Sequence, residues 1–397
     1  MPSSLMSDLF RHCQDLPAVS DPAAIPELPS PVAVPARVPD HRGRRGRRHR
    51  LGFPLSVIVV AVLCGARSNE AIGRWAGRAG GAELRAPGAT RWRGHWLRPD
   101  ATTIARAIDR LDPDAFDDAV YGWLNDVVAD SEPADAPVTG LAVDGKTVRG
   151  AEDPDGGQPH LVAAVRHDTR TVAGQRRVGA KTNEITAFKP LLDSIDIKGL
   201  AITADAMHTQ RDHALYLHGR DAYYVFYAMG NQPSLYDRLD ALPRATIEPG
   251  HTEVTSARGR IETRTMRVPP APENTGFPHA EQVFPVERDT LHPATGHRHT
   301  IAVLGVTSLN AYQAGPADIA ALIKGQWSIE TVHQIRDVPF TEDASKIRTG
   351  HRPRVMATAR NLVISLLRLM GWDDITAATE HMAANRAEAL TLLGLTS

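Results

Sequence analysis

Cysteine is nearly missing from this chain: Cys13 and Cys64 are the two thiols in 397 residues. That is too few for a disulfide framework and points to a reducing, cytoplasmic setting. The first residues, MPSSLMSDLFRHCQ, lack a basic stretch followed by an apolar one, so no export signal is expected. Long apolar runs are absent as well. The longest, Leu51 to Ala66, contains Pro54, Ser56 and Gly65 and is too short to cross a bilayer. It reads as a buried helix, and no membrane partner is expected. Charge of either sign is not in excess, since 45 Lys and Arg stand against 46 Asp and Glu. The chain is therefore no polycation, and any contact with nucleic acid must come from a local patch.

What is present begins with proline. Pro17, Pro22, Pro26, Pro29, Pro31, Pro35 and Pro39 exclude helix and central strand, so residues 1–40 read as an extended tether after a short possible helix. HRGRRGRRHR follows, with Arg42, Arg44, Arg45, Arg47, Arg48 and Arg50 and no acid. Such an arm can neutralise phosphates. From Leu55 to Asp130 the periodicity is helical and implies a small all-α domain over 41–133, with Phe116, Val120, Trp123, Leu124 and Val127 on one side of its last helix. SEPADAP, residues 131–137, is a linker by composition.

Strands begin after the linker. TGLAVDGKTVRG delivers Asp144 to a Gly-containing turn, and GLAITADAMHTQ repeats the device with Asp205. Between them HLVAAVRH and TVAGQRRV read as a hairpin, and TNEITAFKPLLDSI as a helix; DAYYVFYAM is a later strand. The order predicts an α/β fold with a ribonuclease-H-like mixed sheet over 138–375, in which the first and fourth strands lie side by side. Two acids placed together would raise each other's pKa unless a divalent cation shared them. HTEVTSARGRIETRTMRV, AEQVFPVER and HRHTIAVLGVTSL alternate as strands do, giving a β-rich insertion over about 231–312. GPADIAALIKGQWSIETVHQI then predicts one long helix, with Ile319, Leu322, Ile323, Ile329 and Val332 inward and Glu330 at the margin. Glu253 and Glu262 fall in the insertion, and Glu342 in the turn-like PFTEDAS reads as a loop cap. Residues 376–397 read as a helical, peripheral tail.

Together the ordered blocks GRRHRLGFPLSVIVVAVLCGA, LAVDGKTVRGA, HLVAAVRHD, KTNEITAFKPLLD, TADAMHTQ, GNQ, GRIETR and QWSIETVHQIRDVPFTEDAS resemble the ISAs-type insertion-sequence DDE transposases, also called H-repeat-associated proteins. The likeness spans about Arg42 to Gly371. It implies a transposase-associated helical domain before a ribonuclease-H-like catalytic domain, with Asp144, Asp205 and Glu330 matching the family's three acids. Lys324 and Gln326 stand where members commonly carry Arg and His, and Asp337 where related elements carry Lys.

The resemblance implies cleavage and joining of DNA at an element's terminal inverted repeats and at a target, by two or more copies assembled on DNA. The expected metal is Mg²⁺ or Mn²⁺, two ions roughly 4 Å apart, with Asp144 bridging and Asp205 and Glu330 each holding one. No protein nucleophile is needed. Lys146, Arg149, Lys181 and Lys324 are candidate phosphate contacts. A nuclease of the same fold and a domesticated, non-catalytic DNA-binding protein are the alternatives. Glu330 and His333 form one Glu-x-x-His pair, but a di-iron bundle needs two.

Overall fold

The computed structural model describes residues 31, 34, 37–43, 48–130, 138–152, 157–179, 182–257 and 259–395. Arg44, Arg45, Arg47, Lys181, the 131–137 linker and nearly all of the Pro-rich segment lie outside them. Among the described residues no helix is long and apolar enough to cross a membrane.

Leu51–Ala66 forms the expected helix, α1 (Gly52–Leu63), buried at every position from Phe53 to Leu63. Such all-round burial requires neighbours on every side. α2 (Asn69–Arg78) starts where the Ser68 hydroxyl accepts a hydrogen bond from the Ala71 amide at 3.2 Å. After α3 (Gly81–Arg85) comes a two-stranded ribbon, β1 (Arg91–Trp92) and β2 (His95–Trp96), then α4 (Ala101–Asp109) and α5 (Pro113–Ala129). Asp112 caps α5 ahead of Pro113, and the predicted stripe from Phe116 to Val127 is buried.

Among the described residues the main sheet has nine strands: β3 (Gly140–Thr147), β4 (His160–Arg166), β5 (Val172–Arg177), β6 (Ala201–Ala204), β7 (Tyr223–Ala228), β8 (His251–Ala257), β9 (Arg260–Met266), β10 (Gln282–His292) and β11 (His297–Thr307). Their order is β5-β4-β3-β6-β7-β11-β10-β9-β8. β3 and β6, the first and fourth strands after the linker, are parallel neighbours, with Val143 opposite Ala204. β11 pairs antiparallel with β7. The β-rich segment therefore continues the same sheet. HTEVTSARGRIETRTMRV is two strands, because Gly259 at φ +72° supplies a left-handed turn within the alternating run.

Alternation sends successive β3 side chains to opposite cores. Leu141 and Val143 belong to the core on the side of α6 (Glu184–Leu192), α7 (Arg211–Gly219) and α8 (Pro233–Asp240). Ala142 faces a helical core shared by residues 34–127 and 329–395. The N-terminal helices thus have no core of their own. They pack with α11 (Arg352–Leu369), α12 (Ile375–Ala384) and α13 (Arg386–Leu392). The tail is helical, and Met382, Ala389 and Leu393 are buried in that core rather than peripheral.

The long helix expected over 315–335 is two: α9 (Pro316–Gly325) and α10 (Trp327–Asp337), parted at Gln326. Glu342 is no loop cap. It is 1% exposed and holds Arg336 at 2.7 Å and Arg360 at 2.7 Å, both also buried. This joint fastens α10 to α11. Two guanidiniums share one carboxylate, so burial still pulls Arg360 below the ordinary arginine range. Burial would raise Glu342, but the two arginines outweigh it and hold its carboxyl at about 2.

Candidate active site

β3 continues from Val143, paired with Ala204, into Asp144, and β6 ends just before Asp205, so parallel register brings both aspartates to the point where the β3–β6 pairing ends. β3 does not turn at Gly145 as expected but runs on to Thr147, with Gly145 opposite Val162 of β4. Asp144 is half-buried; burial, then the charges of Asp205 and Glu184, push its carboxyl well above the usual range. Burial also raises Asp205. Glu330 sits in the first turn of α10, where the helix dipole favours an anion. Packing around its carboxyl, then the charge of Asp205, raise it to about 7, although its surface is open enough for water to screen part of the effect.

Gln326 braces this arrangement. Its side-chain amide donates to the Val143 carbonyl at 3.3 Å, and its amide oxygen accepts from the Thr203 hydroxyl. The start of α10 is thereby tied to β3 one residue before Asp144 and to β6 two residues before Asp205. His167 Nε2 meets the same Thr203 hydroxyl at 3.0 Å. Its ring fits because Gly140 and Gly325 have no Cβ: one added at either would lie 2.0 Å from the ring.

Glu184 and His160 were not legible as site residues. Glu184, the first residue of α6 after the cap Asn183, reaches His160 Nε2 at 2.8 Å, and His160 Nδ1 in turn meets Thr147 Oγ1 at 2.7 Å. His208, fully buried, stands 3.6 Å from Glu184. Burial would raise Glu184, but the hydrogen bonds and charges of His160 and His208 prevail and hold it at about 2. The one sequence signal was Gly145: a Cβ there would lie 2.4 Å from the Glu184 carboxyl carbon and 2.5 Å from His160 Nε2. Gly145→Ala should therefore destabilise the protein by about 1–3 kcal/mol in urea unfolding, the usual range for overpacking. An unchanged midpoint would mean that Glu184 is free to move aside.

The cations divide into engaged and exposed. Lys146, 8% exposed, holds Asp337 at 2.6 Å and approaches Asp343 at 3.8 Å. The latter carboxylate also accepts the Arg149 amide at 3.1 Å, so the loop after α10 clasps the end of β3 and the turn that follows it. Lys324 holds Glu253 at 3.2 Å. Arg42 is buried, with Asp40 at 2.8 Å and the His49 carbonyl at 2.7 Å. Arg48, Arg50 and Arg149 are exposed. His333 Nδ1 stands 3.6 Å from Asp144; burial, then Arg336 and Lys146, lower its pKa to about 3, so the ring is neutral.

Carboxylate oxygens with this much mutual repulsion suit a hard divalent cation. Among the described residues no three His, Cys, Asp or Glu side chains already surround one point, so holding an ion requires these carboxylates to turn toward one another.

Comparison with known proteins gives the family. The family described as Transposase DDE domain matches residues 136–366, and the one described as DDE_Tnp_1-associated matches 34–124. The chain belongs to the DDE transposase family. "Putative transposase YncI" of Escherichia coli O157:H7 is 28% identical over 359 residues, covering 83% of this chain and 85% of that protein. "H repeat-associated putative transposase YhhI" of Escherichia coli K12 is 27% identical over 356 residues, covering 83% and 88%. Among solved structures, a piggyBac transposase synaptic complex with hairpin DNA aligns at TM-score 0.42 and 11% identity, over 87% of this chain and 70% of that one.

Proposed function

We propose that this transposase binds the terminal inverted repeats of its element and cleaves and joins DNA at a centre formed by Asp144, Asp205 and Glu330. The observation that supports the reading is the register that sets Asp144 and Asp205 on neighbouring parallel strands, with Gln326 tying the start of the helix that carries Glu330 to both strands. Asp144, Asp205 and Glu330 would hold Mg²⁺ or Mn²⁺ through oxygen ligands. Bound there, such ions polarise a phosphate oxygen and make a water or a 3′-hydroxyl a competent nucleophile. Gln326 and the Lys146–Asp337 pair keep the acid-bearing elements in register. Exposed Arg48, Arg50 and Arg149, with Arg44, Arg45, Arg47 and Lys181, supply phosphate contacts; Arg42, Lys146 and Lys324 are committed to protein partners. Two or more copies would assemble on the DNA ends.

The test is incubation of the purified protein with duplexes carrying the element's ends and a target plasmid. Cleaved and joined products should form with Mg²⁺ or Mn²⁺ and none with EDTA. Cutting that persists in EDTA would reject the metal-dependent centre, and cutting without joining would favour a nuclease.

A further inference from the structure

The stretch from Leu84 to Pro99, LRAPGATRWRGHWLRP, holds Arg85, Arg91, Arg93 and Arg98, and no acid falls between Glu83 and Asp100. The ribbon within it is built at its base and bare at its tip. Leu97 donates its amide to the Thr90 carbonyl at 2.9 Å, and Arg98 reaches the Ala79 carbonyl at 2.9 Å. Trp96 rests on α3, where a Cβ on Gly81 would lie 2.9 Å from its indole nitrogen. Arg91 lies over the Trp96 ring at 5.2 Å and donates to the Gly94 carbonyl at 2.9 Å, which stiffens the turn.

The tip is organised differently. Arg93 and Gly94 both have positive φ, +46° and +84°, as a two-residue type I′ turn requires. Such a turn favours Asn, Asp or Gly at its first position; an arginine in the left-handed region is held at a cost of about 1–2 kcal/mol. Trp92 beside it is 63% exposed, whereas Trp75, Trp123 and Trp327 are buried and Trp96 and Trp372 are half-buried. The Arg93 guanidinium lies 6.0 Å from the Trp92 ring centre. The fold thus places an unburied indole flanked by arginines on a braced two-strand ribbon.

We infer that the β1–β2 ribbon is a duplex-DNA contact, with Arg93 and, from the end of α3, Arg85 on phosphates and Trp92 against the sugar and base edges. The inference rests on the DNA-binding reading above and gives it a surface that the basic arm at 41–50 does not include. Arginine matches phosphate geometry, and an exposed indole gains contact area on a groove wall that it lacks in water. A charge-neutral chain concentrating positive charge beside an exposed aromatic fits a polyanion with apolar faces better than an acidic peptide.

The experiment titrates the full-length protein with a fluorescent random-sequence duplex at several salt concentrations, and in parallel follows tryptophan emission with unlabelled duplex. Arg85→Ala with Arg93→Ala should weaken binding and flatten the slope of log affinity against log salt by about 0.9 for each phosphate no longer neutralised. Arg93→Lys should restore most of the effect of one arginine. Trp92→Phe should bind nearly as well but lose most of the DNA-induced emission change. All these positions are exposed, so melting temperature should hold. If wild type binds while the double variant keeps the full salt slope and Trp92→Phe keeps the full emission change, the ribbon is not where DNA binds. If wild type binds no duplex at all, the DNA reading falls and the ribbon's assignment with it. An emission change with an acidic peptide and none with DNA would make the ribbon a protein-docking surface and overturn the inference.

Discussion

Asp205→Asn and Glu330→Gln should each abolish cleavage and strand transfer while leaving folding and DNA binding intact. Even outer partners of metal ligands cost about 10–100-fold when removed, so loss of a ligand should exceed about 100-fold. The folding half follows from electrostatics. Asp144, Asp205 and Glu330 each raise or feel the others' charge, so neutralising one relieves repulsion in the metal-free protein. The variants should melt no lower than wild type in EDTA and higher if the repulsion is strong. A Glu330→Gln protein that cuts at near wild-type rate would remove Glu330 from the centre, and a dead Glu253→Gln protein would point to Glu253 instead. Single-turnover cleavage with a folded-state control by circular dichroism separates these outcomes.

Glu342→Gln should be the most destabilising single-atom exchange in the catalytic half. It leaves Arg336 and Arg360, 0% and 2% exposed, without a countercharge. Breaking a buried ion pair from one side is worth about 3–5 kcal/mol. Because Glu342 is held at about 2, below its usual value near 4.5, its contribution to stability is full above about pH 4.5 and declines as pH falls toward 2. Urea unfolding at neutral pH and at about pH 4 should show wild type losing stability that the variant no longer has to lose. Equal midpoints for the two proteins at neutral pH would mean that the arginines find other partners. Activity in Glu342→Gln should fall with the folded fraction, since this joint positions the helix that carries Glu330.

Some of this was legible because it is local. That the two Asp-bearing strands are neighbours follows from β-branched runs and right-handed α/β connectivity, and Asp205 does end its strand; the turn expected at Gly145 does not form, because β3 keeps pairing with β4 as far as Thr147. Glu184 was hidden because at α6 it looks like an ordinary first-turn acid; only Gly145, distant in sequence, opens the space beside Asp144. Glu342 was hidden for the same reason: PFTEDAS looks like a turn, and its burial depends on Arg360 from the next helix. The β1–β2 ribbon has two residues per strand, too few for alternation to register. The break at Gln326 has one local mark, Gly325 as the last residue of α9, and the helical period that resumes on its far side masks it. At the break the Gln326 side chain reaches β3 and β6, contacts that no local pattern announces.

The claim that Asp144, Asp205 and Glu330 form one metal-holding centre is tested most directly by melting the protein with and without Mn²⁺. An ion that binds only the folded state stabilises it by about 2.7 kcal/mol at 100 times its Kd. Wild type and Glu253→Gln should therefore show the same upward shift, and Asp144→Asn, Asp205→Asn and Glu330→Gln should each lose it. A shift that survives in all three, or that vanishes with Glu253→Gln alone, would contradict the account.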